Sequence, residues 1–230
     1  MASLSDQYST LSREIAAGGA RLVVVTKTHP VSVIRQLYEM GHRDFGENRV
    51  GELEEKAAQL PDDINWHFIG HLQRNKVKNV VPFVTLFHSG DSLRLLRELD
   101  KRAEDRSVDV LLQYHIADED SKYGLTRESG RELLESIREE PLRHVRILGV
   151  MGMATYTDDE EQVAEEFRTL HEIFSEVKET YFVDSPDFAE ISMGMSGDYP
   201  IALRQGSTLV RIGSKLLGDR DYGDADEAGN

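Results

Sequence analysis

The segment Leu22-Val23-Val24-Val25-Thr26-Lys27-Thr28-His29-Pro30 decides the fold class. Its aliphatic, largely β-branched run ends at Thr26, and helical spacing takes over after Pro30, so it reads as a buried strand feeding a crossover helix. An open dinucleotide-binding sheet would carry Gly-x-Gly-x-x-Gly directly after this strand; Lys27-Thr28-His29-Pro30 stands there instead. Outward from this unit the same alternation recurs. Short β-branched or aromatic runs predict strands at 22–26, 43–45, 66–69, 85–88, 108–115, 145–150, 188–191 and 207–211. Between them the spacing predicts helices at 31–40, 49–59, 72–79, 92–104, 127–139, 160–179 and 197–205, with a leading helix at 3–17. Strand–helix units of this number in 230 residues make an α/β chain at the lower size limit of a single (β/α)8 TIM barrel. The barrel domain is expected over 1–220, including the N-terminal helix, with a flexible acidic tail at 221–230.

Composition narrows the classes of function. The 27 Lys and Arg against 42 Asp and Glu leave a formal charge of −15, which argues against a nucleic-acid partner, since such proteins need a basic face to displace counterions. A small local basic site for one phosphate remains compatible with that charge. No apolar run reaches the roughly 18 residues of a membrane span, and the start MASLSDQYST lacks the form of a signal peptide. The expectation is a cytoplasmic protein without a membrane partner. The absence of cysteine removes disulfides, thiolate catalysis and cysteine-based metal sites.

In such a barrel, function collects at the carboxyl ends of the strands. These ends deliver Lys27, Gly46-Glu47-Asn48, Gly70-His71, Met151-Gly152-Met153, Ser192-Met193-Gly194-Met195-Ser196 and Arg211-Ile212-Gly213-Ser214. Lys27 shares a pleat face with Val25 and Val23, so an inward face for the valines brings its amine to apolar walls near the mouth. Desolvation and a neighbouring cation lower a lysine's pKa, and the neutral amine can condense with an aldehyde to a Schiff base. The same position also suits a lysine that snorkels its ammonium into solvent. Ser196 is placed to cap a helix starting at Gly197, and the Gly213-Ser214 turn can present backbone N–H groups to an anion, together forming a phosphate cup. Read separately, they serve equally as a helix cap and a turn glycine. His67 and His71 bracket a glycine turn rather than one helical face, so no metal site is expected. Asp118, Glu119 and Asp120 lack the EF-hand spacing and read as a solvated loop.

The segments Val25-Thr26-Lys27-Thr28, Phe45-Gly46-Glu47-Asn48, Trp66-His67-Phe68-Ile69-Gly70 with Leu72-Gln73-Asn75-Lys76, Asp118 to Gly124, Ser192-Met193-Gly194-Met195-Ser196 and Gly206 to Gly213 resemble the YggS/PROSC family of pyridoxal-phosphate-binding proteins. The match runs in order from about Leu22 to Tyr222. The resemblance implies the barrel of the amino-terminal domain of alanine racemase, with pyridoxal 5'-phosphate held on Lys27 as a Schiff base. It further implies that Ser196, Gly213 and Ser214 hold the phosphate, that Arg211 faces the pyridine nitrogen and that Asn48 lines the pocket. This chain departs from the pattern at His71, where many relatives carry proline, and at Pro200, inside the first turn after Ser196.

Arg211 bears on the chemistry, because a guanidinium donates to a pyridine nitrogen without holding it protonated, which leaves the ring a weaker electron sink. Racemases of the related fold complete their site with a second β domain and a partner subunit, whereas this sequence stops soon after its last strand. The expectation is a monomeric cofactor-binding protein, not an enzyme, acting in vitamin B6 and amino-acid homeostasis, with apoenzymes that require the cofactor as partners. The alternative is an amino-acid racemase or decarboxylase working through the same lysine. A cofactor-free hydrolase or isomerase using Glu47 and His71 is a third reading, and it explains neither Lys27 nor Arg211.

Overall fold

Residues 22–25 alternate their partners as a strand must: Leu22 and Val24 join the apolar layer under the helices, whereas Val23 joins a smaller cluster with Leu86, Leu111, Met151 and Leu209 that fills the barrel. The computed structural model describes residues 3–118 and 123–218. Its strands are β1 (Arg21–Val25), β2 (Asp44–Glu47), β3 (Asn65–Phe68), β4 (Val84–Gly90), β5 (Val108–Gln113), β6 (Val145–Met151), β7 (Glu190–Ser192) and β8 (Leu209–Ile212). They pair in sequence order, and β8 closes on β1 with Val23 opposite Arg211, so the sheet is a closed parallel barrel.

The helices are α1 (Leu4–Ala17), α2 (Val31–Glu39), α3 (Val50–Ala57), α4 (Val77–Val80), α5 (Leu93–Arg102), α6 (Arg127–Glu139), α7 (Glu160–Tyr181), α8 (Tyr199–Arg204) and α9 (Ser214–Leu217). Ile34, Leu37, Leu53, Leu96, Leu99, Phe167 and Leu170 pack them onto Phe45, Phe68, Phe87, Val110 and Val210 of the sheet, the outer apolar layer of a barrel of this kind. Among the described residues no helix is long and apolar enough to cross a membrane.

The structure corrects several boundaries. The helix expected at 72–79 is a 3-10 turn, Arg74–Lys76, followed by the single turn of α4; β-branched Val77, Val80 and Val81 and the ensuing Pro82 do not sustain a longer helix. β7 starts at Glu190 rather than 188, because Phe188 leaves the sheet and stacks on Phe182 and Phe174, with ring centroids 4.4 and 5.0 Å away. Leu148 adds a residue to β6, since Val110 lies opposite Ile147 but Leu111 opposite Gly149. Gly149 has φ 154°, and a Cβ there would run into the carbonyl oxygen of Glu190. The tail expected at 221–230 lies outside the described residues, as do Glu119 to Lys122.

Candidate functional site at the barrel mouth

Lys27 follows β1 in a turn closed by the His29 N–H, which donates to the Thr26 carbonyl at 3.0 Å. Thr28, the residue after the lysine, has φ 66°, a costly left-handed conformation for a β-branched side chain that persists only where its surroundings impose it. A buried ion cluster supplies that restraint. The Thr28 N–H donates to Glu52 at 2.8 Å, and Lys56 Nζ donates to the Thr26 carbonyl at 2.8 Å, to Glu47 Oε1 at 2.7 Å and to Glu52 at 3.2 Å. Thr26 Oγ1 donates to the same Glu47 oxygen at 2.6 Å. Burial pushes the Glu47 carboxyl above its ordinary range, opposed by the charge and hydrogen bond of Lys56. Lys27 itself is half-buried at this mouth, two residues beyond Val25, which packs beside Val23 at Gly46.

Asn48 follows β2, and Gly70 follows β3 so closely that a Cβ there would run into the Asn48 backbone. Among the described residues Asn48 Oδ1, Glu47 Oε2 and Thr28 Oγ1 are buried without a hydrogen-bond partner, and all lie around the ends of β1 and β2.

At the last strand ends, Ser196 Oγ accepts from the backbone N–H groups of Gly213 and Lys215, each at 3.3 Å. This overturns the expectation that Ser196 caps the next helix: α8 starts at Tyr199 with Asp198 in the cap position, and Ser196 instead ties the end of β7 to the start of α9. Asp198 Oδ1 accepts from the Met195 N–H at 2.5 Å. Pro200 sits in the first turn of α8, where its missing donor costs no intrahelical bond. Ser214 opens α9 directly after Gly213.

Arg211 lies inside the barrel and is 4% exposed. Its Nη1 donates to Ser192 Oγ at 2.6 Å and its Nη2 to the Gly152 carbonyl at 3.1 Å. Among the described residues no carboxylate lies within ion-pair distance of it, and burial lowers its pKa to about 10 against the opposing charge of Asp198, so it stays a cation at neutral pH. Sequence reasoning missed His88 and Asp44 as neighbours of this site, and it placed Ser192 at a strand end without its link to Arg211. His88 Nδ1 lies 2.9 Å from Ser192 Oγ, His88 Nε2 2.9 Å from His67 Nδ1, and His67 Nε2 3.0 Å from Asp44 Oδ1. Strand parity was the available signal, because His67 alternates with Trp66 and Phe68, which face the helices.

The residues of the cofactor-free hydrolase reading are not brought together. Glu47 is engaged behind the sheet by Lys56, whereas His71 sits on the rim, bonded to Asp91 at 3.1 Å and tilted against the Tyr123 ring at 4.4 Å. His67 and His71 likewise have separate partners, and no group of metal-ligating side chains stands out among the described residues.

Residues 1–221 match the family model described as "Alanine racemase, N-terminal domain". The chain is 41% identical over 206 residues to the pyridoxal phosphate homeostasis protein of Aquifex aeolicus, covering 88% of each. Its fold superposes on PipY of Synechococcus elongatus solved without PLP, with a TM-score of 0.85, 32% identity and coverage of 94% of this chain and 100% of that one. The PipY structure with PLP bound gives a TM-score of 0.82 at 31% identity, with the same coverage. The chain therefore belongs to the family built on the alanine racemase N-terminal domain, in the group whose curated members are pyridoxal phosphate homeostasis proteins.

Proposed function

We propose that this chain binds pyridoxal 5'-phosphate at the barrel mouth, with Lys27 as covalent anchor, and holds the cofactor for exchange with client apoenzymes instead of turning over amino acids. The observation that carries the reading is Arg211, a buried guanidinium with no carboxylate beside it among the described residues, in a barrel whose mouth also presents Lys27, Asn48 Oδ1, unpartnered among the same residues, and the Ser196–Gly213 junction. A donor-only cation matches the acceptor nitrogen of a pyridine ring, and backbone N–H groups with hydroxyls at Gly213, Ser214 and Ser196 match a phosphate, so these residues fit the group. The name of the Aquifex relative and the PLP-bound PipY structure support the same assignment.

When bound, the cofactor supplies an aldehyde that condenses reversibly with an amine, releasing water, and a ring whose electron demand depends on protonation of its nitrogen. Lys27 contributes the amine, at a turn that the Glu47–Lys56–Glu52 cluster keeps in one conformation. Arg211 would donate to the ring nitrogen and give it no acceptor, which leaves the ring unprotonated and a weaker electron sink. Ser196, Gly213 and Ser214 anchor the phosphate, and Asn48 lines the wall. Replacement of the Lys27 amine by another amine would release the cofactor, the route by which the chain would serve vitamin B6 and amino-acid homeostasis.

The test is to incubate the loaded protein with single-enantiomer amino acids while following chirality and CO2, and in parallel with an apoenzyme that needs the cofactor. Activation of the apoenzyme without amino-acid turnover is expected. Sustained Lys27-dependent turnover at about 1 s⁻¹ or faster would instead establish a racemase or decarboxylase. Ser196→Ala combined with Ser214→Ala is expected to weaken retention of pyridoxal phosphate, since each hydrogen bond to a charged phosphate contributes about 1.5–3 kcal/mol. Binding of free pyridoxal should change little, and equal losses for both ligands would remove the phosphate assignment.

A further inference from the structure

We propose that Ser192, His88, His67 and Asp44 form a one-way hydrogen-bond relay across the barrel interior that positions Arg211, an inference that rests on Arg211 meeting the ring nitrogen of the cofactor. The relay starts at the amino-terminal end of β2 with Asp44, passes through His67 on β3 and His88 on β4, crosses the lumen to Ser192 on β7 and ends at Arg211 on β8. Its separations are 3.0, 2.9, 2.9 and 2.6 Å in that order. Both histidines and the serine are buried, so solvent does not substitute for a missing partner.

The sense of the relay follows from its ends. A guanidinium has no acceptor, so Ser192 Oγ accepts from Arg211, and its own hydrogen is available to His88 Nδ1. With that hydrogen given to His88 Nδ1, a neutral His88 ring carries its own hydrogen on Nε2 and donates to His67 Nδ1, the sense that the Asp44 end requires. By the same step His67 carries its hydrogen on Nε2 and donates to the Asp44 carboxylate. The reverse sense would turn a bare ring nitrogen of His67 toward a carboxylate oxygen, two lone pairs in contact. Burial and the charge of Arg211 push the His88 pKa well below its ordinary value, which keeps that ring neutral. Burial raises the Asp44 carboxyl, but the hydrogen bond from His67 and the charge of Arg21 outweigh it and hold the group below its ordinary range.

The consequence is a buried cation met by aligned dipoles in place of a counterion. Ser192 Oγ and the Gly152 carbonyl each take one guanidinium nitrogen, which fixes the plane of the group, and the negative end of the chain stands at the far side of the barrel. Ser192 and His88 are thus positioning residues: Ser192 touches Arg211, and His88 touches Ser192.

The relay is read first in the cofactor-free protein, by 15N chemical shifts of the histidine rings at neutral pH. His88 and His67 should both carry hydrogen on Nε2 and a bare Nδ1. A hydrogen on Nδ1 of either ring, or a doubly protonated His88, overturns the relay and leaves the functional reading standing. The positioning role is read by comparing retention of pyridoxal phosphate with that of its 1-deaza analogue, which lacks the ring nitrogen. Ser192→Ala and His88→Leu should each weaken retention of pyridoxal phosphate about tenfold, the scale of one charged hydrogen bond, and leave the analogue unaffected. His88→Asn, which keeps an acceptor for Ser192, should recover most of the loss. Equal losses for both ligands, or no recovery with Asn, would make these residues structural only. Equal retention of both ligands by the unaltered protein would mean that Arg211 does not meet the nitrogen, and the relay's role would fall with that assignment.

Discussion

Replacing Lys27 by alanine is expected to abolish the visible absorption of the cofactor-loaded protein while leaving the barrel folded. Its amine sits at the mouth beyond the last residue of β1, so its loss opens no cavity among the fully buried residues of the strand. The turn around it is held by backbone and by other side chains: the His29–Thr26 bond, the Thr28 N–H to Glu52, and Lys56 on the Thr26 carbonyl. The change in unfolding free energy should therefore stay within about 1 kcal/mol, as for substitutions outside the packed core. Phosphate and ring contacts would still retain some cofactor as the free aldehyde. The expected result is weak binding with an aldehyde spectrum, and an unchanged spectrum would mean that another amine is the anchor.

Lys56→Met is expected to destabilise the fold by about 3–5 kcal/mol, the usual effect of removing one member of a buried ion pair. The side chains of Lys56 and Glu47 are 8% and 0% exposed, so the substitution strands the Glu47 carboxylate, one of whose oxygens already has no partner. With the lowering contributions of Lys56 gone, burial raises the Glu47 carboxyl further. A carboxyl whose folded pKa lies above its unfolded value binds more protons in the native state, so stability is fully present in acid and is lost as pH rises through the folded pKa. The loss caused by Lys56→Met should accordingly be smaller at about pH 5 than at about pH 8, in chemical denaturation. Adding Glu47→Leu should recover much of the deficit, because an apolar pair often replaces a buried ion pair without loss. The double variant should nevertheless hold the Thr28 turn less firmly, and its borohydride labelling at Lys27 should be slower than that of the unaltered protein.

The barrel was legible because short β-branched or aromatic runs separated by helical spacing repeat around the chain, and local sequence carries that signal. Boundaries failed where tertiary contacts outweigh it. Phe188 looks like strand but stacks between Phe174 and Phe182, and Ser196 looks like a cap but bridges two loops that are distant in sequence. At the site, Lys27, Asn48, Ser196, Arg211, Gly213 and Ser214 stand out from their places at strand ends and from the family resemblance. The groups behind them did not. Lys56 reads as an exposed helix lysine until α3 folds over Glu47, and His88 and Ser192 meet only because β4 and β7 face each other across a closed barrel.

The proposed function depends on attachment of the cofactor to Lys27. Loading the protein with pyridoxal phosphate, reducing it with borohydride and mapping the modified peptide tests that claim most directly. A single pyridoxyl group on Lys27 is the predicted result; modification of Lys76, Lys122 or Lys215 with Lys27 unlabelled would contradict it.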